Sequence, residues 1–163
     1  MKTAVIYKSK YGATRRYAEW ISEELGCPVY EHAQIKPSDL NTYDLIIYGG
    51  GMYAGSIAGV KNIIKNFNKR LVVFATGLSD PADADIPAIT KQNSLGDSKL
   101  FMFHGGYVFD KLSLPHKLVM LIVRKAMSKD MTAEKKAAMY ENVLDFTDRA
   151  AIAPLVEYVK TLN

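Results

Sequence analysis

The sequence is poor in cysteine: Cys27 is the single cysteine among its 163 residues, so no intrachain disulfide can form. This excludes the disulfide-stapled secreted domains and makes a reducing cytoplasm the expected location. We interpret Cys27 as a small apolar residue at the start of a strand, with a reactive thiol as the alternative. No apolar run reaches the roughly 20 residues of a membrane-spanning helix, and the apolar stretch within residues 1–7 is too short for a signal peptide.

Extremes of composition are also missing. Hydrophobic residues make up 48% of the chain and charged residues 23%, values that exclude an intrinsically disordered protein and are typical of a globular domain. The one imbalance is a formal charge of +4, which favours anionic partners. We predict no nucleic-acid partner and leave two interpretations open: a basic surface without function, or contact with an anionic molecule or membrane surface.

Strand-like and helix-like segments alternate along the whole chain. Short apolar runs predict strands, and apolar residues at helical spacing predict helices. The predicted strands are residues 3–7, 29–33, 45–48, 70–75 and 99–103, and the predicted helices are residues 14–25, 57–67, 82–94 and 133–150. Such alternation implies parallel pairing with right-handed crossovers. We predict one three-layer α/β domain over residues 1–163, with a five-stranded parallel sheet in the order 2-1-3-4-5 and helices on both faces.

Glycines and apolar spacing predict where these elements end. Gly26 is expected to end the first helix, and the glycines that begin at Gly49 are expected to stop the third strand at once. The last helix is expected to carry Met139, Val143 and Phe146 on one face. In the predicted strand order the sheet reverses direction between strands 1 and 3, so ligands are expected in the loops that follow strands 1, 3 and 4.

The loop after the first strand is suited to an anion. It leads directly into the first helix and consists of Ser9, Lys10, Tyr11, Gly12, Ala13 and Thr14. A helix N-terminus leaves backbone N–H groups unpaired and carries positive dipole potential, so it can hold a phosphate. Gly12 permits close backbone approach, Ser9 and Thr14 add hydroxyl donors, and Lys10 adds charge. The alternative is an ordinary strand-to-helix turn with Thr14 as the N-cap.

Two further loops are predicted to face this one. The loop after the third strand contains Gly51, Met52, Tyr53, Ala54 and Gly55, and the loop after the fourth contains Thr76, Gly77 and Leu78. Tyr53 can stack on a flat aromatic ligand with Met52 beside it, or it is simply a partly buried loop residue.

The first loop resembles the signature of the flavodoxins, in which hydroxyl residues and a glycine surround the phosphate of FMN. Ser9, Gly12 and Thr14 match that signature, and Tyr11 departs from its usual small hydroxyl residue. The resemblance implies bound FMN and a redox function. It also implies the cofactor-binding residues, which are the fourteen residues of the three loops: Ser9, Lys10, Tyr11, Gly12, Ala13, Thr14, Gly51, Met52, Tyr53, Ala54, Gly55, Thr76, Gly77 and Leu78.

A segment at about residues 106–131, which follows the fifth strand, resembles the insertion of the menaquinone-dependent protoporphyrinogen oxidases, a flavodoxin-like family. The match rests on the opening Lys2-Thr3 strand, on the Lys10-Tyr11-Gly12 loop and on the spacing of Gly106, Asp110, Leu112 and Ser113. This resemblance implies an FMN-dependent oxidoreductase with a porphyrinogen donor and a quinone acceptor, and it assigns no catalytic side chain. Two alternatives stay open: an electron carrier between proteins, or a binding module that keeps the fold but not the flavin.

The same segment contains an apolar helix core at residues 118–123 with basic residues on both sides, among them Lys117, Arg124 and Lys125. A short apolar helix with basic flanks is typical of an anchor on the inner leaflet of an anionic membrane, although a core-packed helix is the alternative. His104, at the end of the fifth strand, is interpreted as a structural histidine or as an acid–base group. The spacing of His32 and His116 predicts no metal site.

Overall fold

A computed structural model of the chain describes residues 1–130 and 132–162; the side chains of residues 127, 130, 135, 138 and 139 lie outside the description. The strands are β1 (Thr3–Lys8), β2 (Val29–Glu31), β3 (Leu45–Tyr53), β4 (Ser56–Ile57), β5 (Arg70–Gly77), β6 (Lys99–His104), β7 (Gly106–Val108) and β8 (Val143–Asp145). The α-helices are α1 (Ala13–Leu25), α2 (Pro37–Leu40), α3 (Val60–Asn66), α4 (Ile86–Asn93), α5 (Leu114–Met127), α6 (Ala133–Met139) and α7 (Ala153–Thr161).

Five strands form a parallel sheet in the order β2-β1-β3-β5-β6, which confirms the predicted order of the five parallel strands. The registers are regular: Val5 pairs with Ile47, and Ile47 pairs with Val72. Successive residues point to opposite faces of a strand, so each strand contributes to two cores. Because these strands are parallel, β1, β3 and β5 end at the same edge of the sheet, and the reversal of strand order between β1 and β3 leaves a crevice there in which a ligand is expected.

Helices cover both faces of the sheet, as predicted for a three-layer fold. On one face Ile46 and Val73 pack with Ile63 of α3 and other apolar residues. On the other face Ile47 packs with α1 and α7. Strands buried on both sides must be apolar at consecutive positions, which explains why their sequences read as continuous apolar runs rather than alternating ones.

The prediction that glycines stop the third strand is wrong. Strand β3 runs through Gly49 and Gly50, both buried, and ends in a hairpin with β4. A Cβ on Gly49 would lie 2.0 Å from Cζ of Phe74, and one on Gly50 would lie 2.6 Å from Cγ2 of Ile57. The glycines are therefore needed because neighbouring side chains fill the space a Cβ would occupy. Residue 57 consequently belongs to the hairpin, and the predicted helix from residue 57 begins only at Val60.

The predicted long helix over residues 133–150 is also wrong. Helix α6 ends at Met139, and residues 143–145 form β8, which pairs antiparallel with β7. Val143 and Phe146 are exposed, so their helical spacing did not mark a buried face. The closing helix is α7, with Pro154 in its first turn and Leu155 buried. The Met139 side chain and residue 131, where the predicted insertion ends, lie outside the described residues.

Residues 106–145 form an excursion from the sheet, which we call the strap. It starts with β7 and ends with β8, and the Phe146 N–H donates to the Gly105 carbonyl at 3.1 Å where the strap leaves and rejoins the core. We call the place where the strap leaves and rejoins the core its neck. Arg16 of α1 holds the neck through an ion pair with Asp145 at 2.6 Å. Partial burial by itself raises the pKa of the Asp145 carboxyl, but Arg16 and the hydrogen bonds from Thr147 outweigh it and lower the pKa.

Candidate cofactor site

A cleft of about 430 Å³ lies at the edge of the sheet where β1, β3 and β5 end. Its size falls within the roughly 300–1,000 Å³ of small-molecule pockets. Eleven of the fourteen predicted site residues line it: Ser9, Lys10, Tyr11, Ala13, Thr14, Gly51, Met52, Tyr53, Thr76, Gly77 and Leu78. The three loops that the sequence singled out therefore do meet around one cavity.

The loop of residues 9–14 turns sharply before α1 begins. Gly12 has a φ of +99°, which disfavours any residue with a Cβ, and its N–H donates to Oγ of Ser9 at 3.1 Å. The Arg16 N–H donates to the Gly12 carbonyl at 3.0 Å, so the N–H groups of residues 13–15 precede the first helical hydrogen bond. These donors lie at the positive end of the helix, where an anion is stabilised. Gly12 itself shapes the loop and does not line the cleft.

The hydroxyls of Thr14 and Thr76 join two of the loops. Their Oγ1 atoms are 2.7 Å apart, and both side chains are buried. The pair contains two hydroxyl protons, and one of them suffices for the bond between the two oxygens. The second proton can therefore be donated to a ligand, and the start of α1 is fixed to the end of β5.

The loop after β3 divides its predicted residues between two roles. Gly51, Met52 and Tyr53 line the cleft, whereas Ala54 and Gly55 form the turn of the β3–β4 hairpin and do not. Helix α4 holds that turn from outside: the Gln92 amide donates to the Ala54 carbonyl at 2.9 Å, and the Asn93 amide donates to the Gly55 carbonyl at 2.7 Å. These two predicted residues therefore shape the loop.

The loop after β5 is supported by His104. Nε2 of His104 lies 3.0 Å from the Leu78 carbonyl, and its ring stacks on Phe146 with the centroids 4.3 Å apart. His104 does not line the cleft, and its contacts fit the structural interpretation rather than the acid–base one. His32 is likewise engaged by the hydroxyl of Tyr48, at 2.8 Å. Among the described residues, no group of three or more His, Cys, Asp or Glu side chains is placed to hold a metal.

The strap closes the remaining side of the cleft, and its role was missed from the sequence. The lining residues outside the predicted set are Lys8, Ala58, Gly106, Tyr107, Leu112, His116, Val119 and Met120. His116 contacts two loops at once, since its Nδ1 is hydrogen-bonded to the Tyr11 hydroxyl and its ring stacks on Tyr53 at 5.4 Å. The resemblance marked this segment, but no local pattern shows which of its residues point inward.

The charge at the cleft is of one sign, positive. Of the described residues that line it, none is acidic, and Lys8 and Lys10 stand at the end formed by the loop of residues 9–14. Tyr107, Leu112, Val119 and Met120 give the strap side a largely apolar wall. The arrangement suits a ligand with an anionic end and a flat apolar end.

The flavodoxin domain model matches residues 4–135, most of the chain. The chain belongs to the flavodoxin domain family. This flavodoxin-domain protein is also similar to an uncharacterized protein of Methanocaldococcus jannaschii, with 33% identity over 81 residues, 47% of this chain and 54% of that protein. The match thus spans about half the length of this curated relative.

Solved structures of similar proteins share lower identity with this flavodoxin-domain chain. A flavoprotein from Lactobacillus acidophilus in complex with FMN is 21% identical, covers 63% of this chain and 90% of its own, and has a TM-score of 0.45. Oxidised flavodoxin 1 from Bacillus cereus is 14% identical, covers 81% of this chain and 100% of its own, and also has a TM-score of 0.45. The family assignment rests on the sequence match to the flavodoxin domain.

Helix α5 of the strap has two faces. His116, Val119 and Met120 face the cleft, whereas Leu114, Leu118, Leu121 and Ile122 are 48–82% exposed on the other side. Arg124, which the sequence placed among the basic flanks, is 3% exposed and packs inward, so it does not belong to the outer surface. In the part of the chain that the structure describes, no helix is long and apolar enough to cross a bilayer.

Proposed function

We propose that this protein binds FMN in the cleft and uses it for electron transfer. The observation that carries the proposal is the convergence of the residue 9–14 loop with the loops after β3 and β5 around one cavity, in a chain of the flavodoxin domain family. FMN supplies the redox chemistry when it is bound, and the chain supplies binding, orientation and electrostatics.

The residues present fit the two ends of FMN. The phosphate would be held by the first N–H groups of α1, by the Ser9 hydroxyl, which already accepts from Gly12 and is free to donate, and by the spare proton of the Thr14–Thr76 pair. Lys8 and Lys10 add positive charge without a competing carboxylate in the lining. Met52, Tyr53, Gly77 and Leu78, which line the same cleft, would hold the flavin ring.

A reconstitution experiment tests the proposal. The purified protein is incubated with FMN or riboflavin and dialysed, and bound flavin is measured by visible absorbance and by fluorescence quenching. We expect Ser9→Ala to weaken FMN binding about tenfold, the effect of losing roughly 1.4 kcal/mol of hydrogen bonding, and to leave riboflavin binding unchanged. Ser38→Ala removes an exposed hydroxyl that does not line the cleft and serves as the control. A protein that stays colourless with excess FMN would refute the proposal.

Within this redox function we propose an oxidoreductase that acts on a small molecule, of the porphyrinogen-oxidising, quinone-reducing type. The strap supports this role, because Leu112, Val119 and Met120 add an apolar wall beside the predicted cofactor residues. The net charge of +4 favours a substrate with carboxylates. An electron carrier, the alternative, needs its flavin edge open to a protein partner.

An anaerobic assay separates the two roles. The FMN-loaded protein is mixed with protoporphyrinogen and a menaquinone analogue, and porphyrin formation is followed by its fluorescence. An oxidoreductase forms porphyrin at a rate proportional to enzyme and dependent on the quinone. A carrier gives no turnover in this assay, although a protein reductant reduces its flavin.

We also propose that the outer face of α5 rests on an anionic membrane surface. Leu114, Leu118, Leu121 and Ile122 form an exposed apolar stripe, and Lys125 continues the same helix. Anionic lipid adds about 1 kcal/mol of attraction for each nearby lysine. Sedimentation with phosphatidylserine vesicles at low salt is expected to bring down the protein but not the Leu118→Ser/Ile122→Ser variant. Equal recovery of both in the supernatant would contradict this.

A further inference from the structure

We infer that His116 is a latch that retains the cofactor, because it ties the strap to two of the loops that form the cleft. The inference rests on the proposed binding of FMN. Its ring stacks on Tyr53 of the loop after β3, and its Nδ1 is hydrogen-bonded to Tyr11 of the phosphate loop. The imidazole therefore bridges the two loops on the α5 side of the cleft, and breaking these contacts would widen the opening through which a ligand beneath α5 leaves.

The contact with His116 explains Tyr11, which is an unusual feature of the sequence. Where the flavodoxin signature has a small hydroxyl residue, this chain has a long aromatic one. The hydroxyl of Tyr11 reaches His116 on the strap, 105 residues away in sequence, and the Tyr11 ring also meets the imidazole edge-on at 5.7 Å. At this position the chain therefore contacts the element that covers the cleft.

The latch matters because the outer face of α5 is exposed, so that contacts on its inward face hold the helix in place. Its outward residues Leu114, Leu118 and Ile122 are exposed, so the helix is covered by the protein on its inward face only. Arg124 anchors the far end of the helix to the Tyr107 hydroxyl and the Glu141 carbonyl, and His116 holds the near end over the cleft. Freeing the near end allows α5 to swing from the cleft while the anchored end stays in place.

A gate of this kind changes rates more than affinity. Opening the strap eases both entry and exit of the cofactor, so the rate constants for association and dissociation rise together. We expect Tyr11→Phe to raise the FMN dissociation rate about fivefold, the factor that corresponds to the net loss of a hydrogen bond of about 1 kcal/mol. His116→Ala, which also removes the ring stack on Tyr53, is expected to raise it more.

Stopped-flow fluorescence of FMN binding and release tests the inference. His116→Gln keeps a polar partner for Tyr11 without the ring, so its dissociation rate should fall between wild type and His116→Ala. Ala126→Ser, an exposed position on the same helix, is the control and should leave both rates unchanged. Hydrogen exchange of the cofactor-free protein should show faster exchange of the α5 amides in Tyr11→Phe than in wild type.

The outcomes separate the inference from the proposed function. If wild type binds no FMN, the proposed function fails and the retention role fails with it. If wild type binds FMN but the dissociation rates and α5 exchange of Tyr11→Phe and His116→Ala match wild type, the latch alone is refuted. Dissociation rates that rise without any rise in association would also refute the latch, since that pattern marks an ordinary binding contact.

Discussion

Replacing Arg124 by methionine removes a buried charge that anchors the strap. The guanidinium packs over the Phe109 ring at 4.4 Å, donates from Nη2 to the Glu141 carbonyl at 2.9 Å and from Nε to the Tyr107 hydroxyl at 3.2 Å. A desolvated cation–π contact contributes about 2 kcal/mol. A buried acceptor left without its donor costs about 1–3 kcal/mol. Methionine keeps the apolar stem, so we expect a loss of about 3–5 kcal/mol in the local stability of the strap.

Hydrogen exchange shows in which part of the protein this stability is lost. Since 1.4 kcal/mol is a factor of ten, a loss of about 3 kcal/mol accelerates exchange of the central α5 amides more than 100-fold. The amides of β3 at Ile46 and Ile47 lie in the sheet core and are expected to exchange as in wild type. Lys125→Met, one residue further along the helix and exposed, should leave both regions unchanged. If β3 amides lose protection equally, or if α5 does not respond, the assignment of Arg124 as the anchor of a separately opening strap is refuted.

Three more predictions concern the sheet, the phosphate loop and the neck of the strap. Gly49→Ala should lower the free energy of unfolding by about 1–3 kcal/mol in urea, and adding Phe74→Leu should restore part of it. Gly12→Ala should weaken FMN binding more than Gly26→Ala does, although both glycines have positive φ, because only Gly12 lies in the phosphate loop. The depressed pKa of Asp145 contributes stability that is present above about pH 4 and is lost as pH falls further, so Asp145→Asn should reduce the acid sensitivity of the urea midpoint.

The fold was predictable where the signal is local. Consecutive apolar residues such as Leu45 to Tyr48 mark a strand buried on both faces, and Gly26, with a φ of +61°, ends α1 as predicted. The extension of β3 was not predictable, because Gly49 is set against Phe74, a partner 25 positions away. Val143 matched a helical spacing, but residues 143–145 pair with β7 instead, and short apolar spacings do not distinguish these outcomes.

The candidate site also has parts that the local sequence predicts and parts that depend on residues distant in the chain. The position of the loop of residues 9–14 at the cleft could be predicted because a strand, a glycine and a helix start follow one another in sequence. The contributions of His116 and Arg124 could not be predicted in this way, since each depends on how α5 is rotated about its axis. Arg124 was expected at the surface from its charge, yet three aromatic rings and two hydrogen bonds compensate its burial.

The neck of the strap makes it separable from the rest of the fold. The chain leaves after Gly105 and returns at Phe146, and one hydrogen bond of 3.1 Å spans the two points. A turn of a few residues can therefore splice the chain there, with β6 and α7 keeping their places. The strap can thus be exchanged in an engineered protein: a chimaera that carries a different strap is expected to acquire a new cleft wall on an unchanged sheet.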